Sequence, residues 1–361
     1  MKYQRARFKR KRKKKMSKFS KVIIYSFLIL TALSVIIGYQ LYKAFLKPNT
    51  WVKDEKSATL YIPTGSDFND LKLSLYEKGI VINRLTFEWM AKRKNLENNI
   101  HPGKYLINDG MTNTQLIDLL RSGKQTPVNL TFNNLRTRES FAQRISRDME
   151  PDSSEIIGLL NDDDYLSIFG FSSETILTMF IPNTYEVYWN TSGKELMDRF
   201  FTEYNKFWNE GRRQKAAQIG LTPVQVSILA SIVEKETNQN DEKARMAGVY
   251  LNRLQKNWML QADPTVVFAT GDFTIKRVLN IHKEIDSPYN TYKNYGLPPG
   301  PICIPSIASI DGVLNREIHN YMFFCAKDDF SGYHAFAETH AQHNINANKY
   351  RQALDKENIK K

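Results

Sequence analysis

The sequence predicts an α+β protein that follows one membrane-spanning helix. A run of 21 uncharged residues, Val22 to Tyr42, comes directly after a basic N-terminal segment. Residues 51–125 then alternate strand-like and helix-like patterns over a short length, as a small α+β module would. Residues 127–358 continue as a mixed α+β pattern around one very apolar helix. The 361 residues, of which 42% are hydrophobic, are enough for two folded domains besides the membrane segment.

The positive charge of the chain lies in its first 21 residues. They hold twelve of the 51 Lys and Arg residues and no Asp or Glu, so the formal net charge of +13 becomes +1 for the remaining 340 residues. This placement favours a cytoplasmic tail beside a membrane span rather than a nucleic-acid-binding surface. The alternative, a core helix behind a nucleic-acid-binding arm, is disfavoured by the length of the apolar run that follows.

The apolar run is long enough to cross a bilayer. As a helix its 21 residues would span about 32 Å, against about 30 Å of hydrocarbon. No small-residue cleavage site follows it, which indicates an uncleaved anchor over residues 22–44 rather than a signal peptide. We therefore expect a single-pass protein of the cell membrane, with residues 1–21 in the cytoplasm and everything after about residue 45 outside it.

A polar segment, Pro48 to Ser57, is interpreted as a linker to the small module. Turn and capping signals then divide residues 51–125 into short elements. Thr112 is expected to cap the last helix of the module, and Gly79 and Gly123 to end helices. In order, we predict a strand over 59–63, helices over 67–78 and 85–92, a strand over 104–107 and a helix over 111–120. These residues contain no obvious catalytic constellation.

A capping box marks the start of the most apolar helix in the chain. Thr222 is the expected N-cap, Pro223 occupies the first helical position and Gln225 completes the box. From there the helix should run to about Asn238. Residues 226–233 carry no charge, which is typical of a buried helix.

Two glutamates, Glu234 and Glu236, follow this uncharged run and point in different directions. At 100° per residue they lie about 200° apart, Glu236 on an aliphatic stripe and Glu234 on a stripe of small residues. The stripe of Glu236 consists of Leu229, Ile232 and Val233. The stripe of Glu234 consists of Ser227, Ala230 and Ser231. Burial beside the negative end of its helix would raise the pKa of Glu236, as a general acid requires. The alternative is that both glutamates form structural ion pairs, for example with Arg245 or Arg253.

The last hundred residues combine a turn-rich loop with short strands. We predict a polar turn over 260–265 before a strand VVFA (266–269), a stiff loop rich in Tyr, Asn and Pro over 287–306, and strands over 321–326 and 333–337 before a helix capped by Thr339. Residues 180–185 are predicted as a turn. Amide and aromatic side chains such as those of 287–306 are suited to a neutral polyol.

Neither the cysteines nor the histidines form a recognisable metal site. Cys303 and Cys325 could pair outside the cytoplasm, but their spacing leaves two free thiols as an equal alternative. His334, His340 and His343 have no acidic partner at ligand spacing, so no metal is expected.

Five segments, taken in order, resemble the endolytic murein transglycosylases of the YceG-like family. They are LASIVEKET (229–237), VYLNRL (249–254), LQADPTVVFATG (260–271), PYNTYKNYGLPPGPI (288–302) and YHAFAETHAQHN (333–344). The resemblance covers about residues 55–355. It makes residues 127–358 a YceG-like catalytic domain and residues 51–125 a LysM-like module, for which a structural spacer is the plainer alternative. Cys303 departs from the family pattern and leaves the detail of its loop uncertain.

The resemblance implies a membrane-anchored lytic transglycosylase. Such enzymes cut the MurNAc–GlcNAc β-1,4 bond of peptidoglycan without water, because the MurNAc 6-hydroxyl attacks the anomeric carbon and forms a 1,6-anhydro ring. One carboxyl group can then serve as acid and as base, whereas ordinary glycosidases use two. The expected partners are peptidoglycan strands and membrane-embedded wall-synthesis enzymes, and no cofactor is expected.

The family's catalytic glutamate lies in its E-[KR]-E segment. Helix phase favours Glu236, with Glu234 as the alternative. The resemblance also predicts a set of groove-lining residues: Asn252, Gln261, Asp263, Tyr289, Asn290, Thr291, Tyr292, His334 and Phe336. Two other functions stay open, a hydrolytic muramidase in which a carboxylate such as Asp263 activates water, and a non-catalytic wall-binding scaffold.

Overall fold

The computed structural model describes residues 16–53 and 56–357. Most of the predicted basic tail and the final four residues of the chain lie outside that description. The chain divides into two compact units, Met1–Thr126 and Pro127–Lys361. The described residues combine helices with three two-stranded antiparallel sheets. The predicted α+β class is therefore confirmed.

Helix α1, Lys18–Phe45, is long and apolar enough to cross a membrane. It has 28 residues, and its most apolar 18-residue window has a mean hydropathy of 2.3 with no part of it buried. Two of its hydroxyl groups bond the backbone of the helix itself: Ser34 donates to the Leu30 carbonyl at 2.8 Å, and Thr31 donates to the Phe27 carbonyl. The helix begins four residues before the predicted span, at the N-cap Ser17.

The rest of the first unit is a small sheet covered by three helices. Its elements are β1 (Ser57–Ile62), α2 (Phe68–Glu77), α3 (Arg84–Arg93), β2 (Gly103–Asn108) and α4 (Asn113–Ser122). The two strands pair antiparallel, with Leu60 opposite Tyr105, and both side chains are fully buried. Capping boxes at Asp67 and Thr112 start α2 and α4, and Gly123 ends α4 in a left-handed conformation. The predicted elements of this module are thus present, while its LysM-like character stays a prediction.

The predicted linker at 48–57 is wrong in its first part. Asn49 and Thr50 are only 3% and 2% exposed, and the Asn49 backbone N–H donates to the Met111 carbonyl at 2.8 Å. The Asn49 side chain also donates to Asn113 at 2.6 Å and accepts from the backbone N–H of Asn83 at 2.7 Å. Polar residues that look like a solvated linker here satisfy buried backbone groups instead.

The second unit contains a large aromatic and aliphatic core. Its first half comprises β3 (Val128–Phe132), α5 (Arg138–Ser146), α6 (Ser153–Asn161), α7 (Asp163–Ser167), a 3₁₀ turn (Ile176–Met179), β4 (Asn183–Val187), α8 (Gly193–Phe207) and α9 (Glu210–Gln218). Strands β3 and β4 pair antiparallel. The turn predicted at 180–185 is wrong at its end, because β4 begins at Asn183. Asn183 pairs with Phe132 of β3, which lies about fifty residues earlier, so a local sequence pattern does not reveal the pairing.

The second half of this unit carries the glutamate helix. Its elements are α10 (Pro223–Glu236), α11 (Lys243–Gln255), α12 (Asp263–Thr270), α13 (Asn280–Lys283), α14 (Ile307–Leu314), β5 (Phe323–Ala326), β6 (His334–Ala337) and α15 (His340–Lys356). Helix α10 begins at the predicted capping box, packs against α11 and α14, and has every residue of 226–233 buried. It ends at Glu236, since Thr237 is extended.

The predicted strand VVFA is wrong, because these residues belong to α12. Pro264 stands near the helix start, where its missing N–H is harmless. The Thr265 hydroxyl hydrogen-bonds the hydroxyl of Thr291, in the tyrosine-rich loop, at 2.8 Å, and Val266 is fully buried. These tertiary contacts override the strand preference of the β-branched residues.

Candidate active site

An open cavity of about 510 Å³ lies at the C-terminal end of α10. Residues from α10, α11, the segment between α11 and α12, the first residue of α12, the tyrosine-rich loop, β5 and α15 line it. They are Glu236, Arg253, Trp258, Gln261, Asp263, Tyr292, Phe323, Phe324, His340 and His343. The walls thus combine aromatic rings with a few polar and charged groups, as carbohydrate and other ligand sites do.

Glu236 is the last residue of α10 and is partly exposed to this cavity. Its carboxylate accepts a 2.5 Å hydrogen bond from the Tyr250 hydroxyl of α11. Burial raises the pKa of Glu236 from 4.5 to about 7. The Tyr250 hydrogen bond opposes this rise. The negative charge of Asp263 raises the pKa further, whereas the positive charge of Arg253 lowers it. Near neutral pH the group therefore exists in both protonation states, which suits proton transfer in either direction.

Glu234 is held in a separate polar cluster. It accepts hydrogen bonds from the Ser306 hydroxyl at 2.5 Å and from Ser309, and it forms an ion pair with Lys243 at 3.1 Å. Burial tends to raise the pKa of Glu234, but these three partners outweigh burial, and the net pKa is lowered. A structural ion pair is thus present, although its partner is Lys243 rather than the predicted Arg245 or Arg253.

The two predicted arginine partners are engaged elsewhere. Arg245 of α11 forms an ion pair with Glu317 at 2.9 Å. Glu317 lies in the segment between α14 and β5. Arg253 is 7% exposed and donates to the Met322 carbonyl at 2.8 Å and to that of Leu260. The Arg253 guanidinium thereby connects α11 with two segments, the one that precedes β5 and the turn that precedes α12. It forms one side of the cavity.

A second acidic group, Asp263, stands on the same cavity. It is exposed and accepts a 2.6 Å hydrogen bond from the Tyr292 hydroxyl. Lys283 lies 3.9 Å from the Asp263 carboxylate and 4.3 Å from the centre of the Tyr292 ring. Gln261 holds a left-handed backbone conformation (φ 50°) beside them, and its N–H donates to the Thr291 carbonyl at 3.0 Å.

Four of the predicted site residues therefore meet in one place: Glu236, Gln261, Asp263 and Tyr292 line the cavity together. The remaining groove candidates lie outside the described cavity lining. Buried Asn290 donates to the carbonyls of Lys283 and Ile285, both at 2.8 Å, and so shapes its loop. Buried Thr291 accepts from the Ala262 N–H at 3.0 Å. These side chains support the loop rather than face the cavity.

The other candidates outside the lining are Asn252, Tyr289, His334 and Phe336. Asn252 donates to the His319 and Tyr321 carbonyls at 2.8 and 3.0 Å. Tyr289 packs on Phe268, with ring centres 4.7 Å apart.

His334 and Phe336 belong to the β5–β6 hairpin. His334 hydrogen-bonds the buried carboxylate of Glu242 at 2.8 Å, and Phe336 packs on Tyr321 with ring centres 5.7 Å apart. Both residues thus anchor the hairpin to neighbouring segments.

The cysteines and the remaining histidines have different surroundings. Cys303 is buried, Cys325 is half-buried, and both are free thiols, so the open question of a disulfide is answered by two unpaired side chains. His343 stacks on Phe323 with ring centres 5.5 Å apart, and His340 lies 6.3 Å from His343. Both histidines line the cavity, where burial lowers the pKa of His343.

Apart from Tyr292, the aromatic residues of the site were not predicted from the sequence. Tyr250 lies 14 residues beyond Glu236 and is buried like any core aromatic residue. Trp258 follows the end of α11, and its ring meets that of Phe323 edge-on at 5.8 Å. Phe323 belongs to a strand some sixty residues later, so no local pattern connects it with Trp258.

The chain was compared with known families and proteins. The model of the YceG-like family matches residues 60–349. The endolytic murein transglycosylase of Bacillus subtilis (strain 168) is 28% identical over 334 residues, which cover 88% of this chain and 91% of that protein. The endolytic murein transglycosylase of Streptococcus pneumoniae serotype 2 is 27% identical over 359 residues, covering 90% of this chain and 64% of that protein. 

A solved structure agrees with these matches. The crystal structure of the YceG-like protein lmo1499 of Listeria monocytogenes superposes with a TM-score of 0.56 at 25% identity, covering 80% of this chain and 98% of that one. The family match spans most of the sequence and includes all five segments on which the resemblance was based. The predicted membership is therefore confirmed, and the chain belongs to the YceG-like family.

Proposed function

We propose that the chain is a membrane-anchored endolytic murein transglycosylase. Its substrate would be the glycan strand of peptidoglycan, cut at the MurNAc–GlcNAc β-1,4 bond with formation of a 1,6-anhydro-MurNAc end. The observation that carries the proposal is Glu236, a carboxyl group with a pKa of about 7 on an open cavity with aromatic walls. The relatives named as endolytic murein transglycosylases support the choice of reaction.

In the proposed mechanism Glu236 acts first as acid and then as base. Its proton moves to the glycosidic oxygen as the bond from that oxygen to the MurNAc anomeric carbon breaks. The MurNAc 6-hydroxyl oxygen bonds to the anomeric carbon, and its proton moves to the Glu236 carboxylate. No water is consumed, and Glu236 ends the cycle protonated as it began. A pKa near the working pH makes both transfers efficient.

The neighbouring residues have separate roles in this proposal. Tyr250 donates to the Glu236 carboxylate, so it orients that group and stabilises its charged form. The aromatic walls, Trp258 and Phe323 among them, offer apolar faces to the sugar rings, while Gln261 offers an amide to sugar hydroxyls. Glu234 has a structural role, because its carboxylate is engaged by Lys243 and two serines.

The proposed location follows from α1. An apolar helix of this length supports a single-pass anchor in the cell membrane. The basic residues before it favour an N-terminus in the cytoplasm and both folded units outside, where peptidoglycan is. Anchoring would bring the enzyme close to membrane-embedded wall-synthesis enzymes, whose growing strands it would terminate.

A hydrolytic muramidase is the second candidate, because Asp263 lies on the same cavity as Glu236. Inverting and retaining glycosidases both require such a second carboxylate. Digestion of purified wall in ¹⁸O-labelled water tests the choice. Transglycosylation predicts fragments with anhydro ends and no label, whereas hydrolysis predicts labelled reducing ends.

A further inference from the structure

An exposed apolar patch lies beside the C-terminal end of α1. We call it the anchor-side patch, and it consists of Leu85 and Trp89, which are 82% and 45% exposed; Leu46, which follows α1, and Ile82, which precedes α3, are also exposed. Leu85 and Trp89 are four residues apart on α3 and so share one face of that helix. The opposite face of α3, with Phe87 and Met90, is fully buried in the module. Exposed Leu and Trp side chains on the face opposite the buried one indicate a second apolar environment.

This patch is fixed to the end of the membrane-spanning helix. Leu85 and Trp89 line a shallow cavity of about 250 Å³ together with Leu41 and Ala44 of α1. The rings of Trp89 and Phe45 meet edge-on with centres 5.9 Å apart. The patch therefore flanks the last turn and a half of α1.

Hydrogen bonds between α1 and the module hold the patch beside the end of α1. Asn113 of α4 donates to the Ala44 carbonyl at 3.1 Å, and the Thr114 hydroxyl donates to the Phe45 carbonyl at 3.4 Å. Asn113 in turn accepts from the Asn49 side chain at 2.6 Å. The last carbonyls of α1 are thus capped by side chains of the module, and the two form one body.

The level of the patch along α1 identifies what covers it. The uncharged run of α1 ends at Tyr42, and Lys43 is the first charged residue after it. Residues 40–45 therefore mark the place where the helix leaves the hydrocarbon and enters the headgroup layer. Trp89 lies at this level, since it contacts Phe45 and lines a cavity with Leu41 and Ala44, and Trp is a residue that proteins place at membrane interfaces.

Basic residues lie near the patch, as a lipid surface would favour. Lys43 and Lys47 flank the end of α1, and the Arg93 guanidinium lies 5.6 Å from the centre of the Trp89 ring. Long basic side chains at this level can reach lipid phosphates while their stems lie on apolar surface. Exposed apolar residues within a basic rim are typical of segments that rest in the interface.

We propose that the anchor-side patch inserts into the outer leaflet of the bilayer that α1 spans, so that lipid headgroups and upper acyl chains cover Leu85 and Trp89. The inference rests on the proposed anchoring of α1. It adds that the small module is a peripheral membrane-contacting domain, held in one orientation on the lipid surface.

Site-specific photo-crosslinking in the full-length chain tests this. The photoreactive residue p-benzoylphenylalanine replaces Leu85, or Ile29 in the middle of α1, or Leu73, an exposed leucine on α2 of the same module (57%). Each protein is reconstituted in vesicles of phosphatidylethanolamine and phosphatidylglycerol, irradiated and weighed by mass spectrometry. We expect lipid adducts at Leu85 and Ile29 in comparable yield, and none at Leu73.

The three positions separate the possible failures. Lipid adducts at Ile29 but not at Leu85 would overturn the patch proposal while leaving the anchor intact. A covalent dimer of the chain at Leu85 in place of a lipid adduct would assign the patch to self-association instead. Absence of adducts at Ile29 would contradict the anchor, and the inference would fall with it.

Discussion

Glu236 and Glu234 are two residues apart on one helix, yet their replacement should change stability in opposite directions. Burial raises the pKa of Glu236 to about 7, so the folded protein binds a proton there more tightly than the unfolded chain does. The hydrogen bonds and ion pair of Glu234 lower its pKa, so its charged form is the stabilised one. Glu236→Gln and Glu234→Gln are therefore a matched pair of isosteric substitutions.

The magnitude for Glu236 follows from proton linkage. Between pH 4.5 and 7 the folded protein holds the proton that the unfolded chain has released, so stability falls as pH rises through this window. At about 1.4 kcal/mol per pH unit, the loss amounts to roughly 3 kcal/mol at pH 8. Glu236→Gln carries no titrating group and avoids this loss. The variant should match the wild type near pH 4 and exceed it by up to about 3 kcal/mol at pH 8.

The effect of Glu234→Gln should have the opposite sign at pH 8. The Lys243 side chain is only 4% exposed, and the substitution leaves its charge without an anion. Breaking a buried pair in this way costs roughly 3–5 kcal/mol, and the serine hydroxyls that still bond the amide keep the loss toward the lower figure. The deficit should shrink as pH falls through the lowered pKa of Glu234, because the wild-type carboxyl then becomes neutral too.

Thermal unfolding of the full-length proteins at pH 4 to 8 is the assay. For a domain of this size each kcal/mol moves the melting temperature by roughly 2–4 °C, so both effects are measurable. A lower melting temperature of Glu236→Gln than of the wild type at pH 8, or a gain over the wild type that does not grow with pH, would contradict the raised pKa of Glu236.

Three further outcomes are expected. Tyr250→Phe removes the hydrogen bond that stabilises the Glu236 carboxylate, so the pKa of Glu236 should rise and the alkaline limb of the pH–rate profile should move to higher pH. An unchanged limb would show that this hydrogen bond does not set the pKa of Glu236. Asp263→Asn removes a charge that raises the pKa of Glu236, so the alkaline limb should move to lower pH while anhydro products are still formed. Loss of all turnover would favour the hydrolase instead. A reporter enzyme fused after residue 50 should be active only outside the cytoplasm, and cytoplasmic activity would reverse the proposed topology.

Local signals predicted the elements whose ends are coded by neighbouring residues. The capping residues Thr112 and Thr222 start helices where expected, and Gly123 ends one. The elevated pKa of Glu236 was also predictable in direction, since its aliphatic stripe belongs to its own helix. The partners of Glu234 were not, because Ser306 and Ser309 come from a helix about seventy residues later.

The errors share one physical origin, which is tertiary contact. Residues 266–269 look like a strand by composition, but burial of Val266 and the hydrogen bond of the preceding Thr265 to Thr291 favour α12. Asn49 and Thr50 look like a solvated linker, but their side chains bond backbone groups of the module, at Asn83 and Asn108. The aromatic walls of the cavity combine residues from α11 to α15, which no local period connects.

The central claim is that a single carboxyl group, Glu236, carries out transglycosylation. Its most direct test is mass spectrometry of the fragments that the wild type and Glu236→Gln release from purified peptidoglycan, with thermal melts to establish that the variant is folded. We expect fragments ending in 1,6-anhydro-MurNAc for the wild type and a loss of roughly 10²–10⁴-fold in their release for the variant. Reducing ends from the wild type, or undiminished release of anhydro fragments by folded Glu236→Gln, would contradict it.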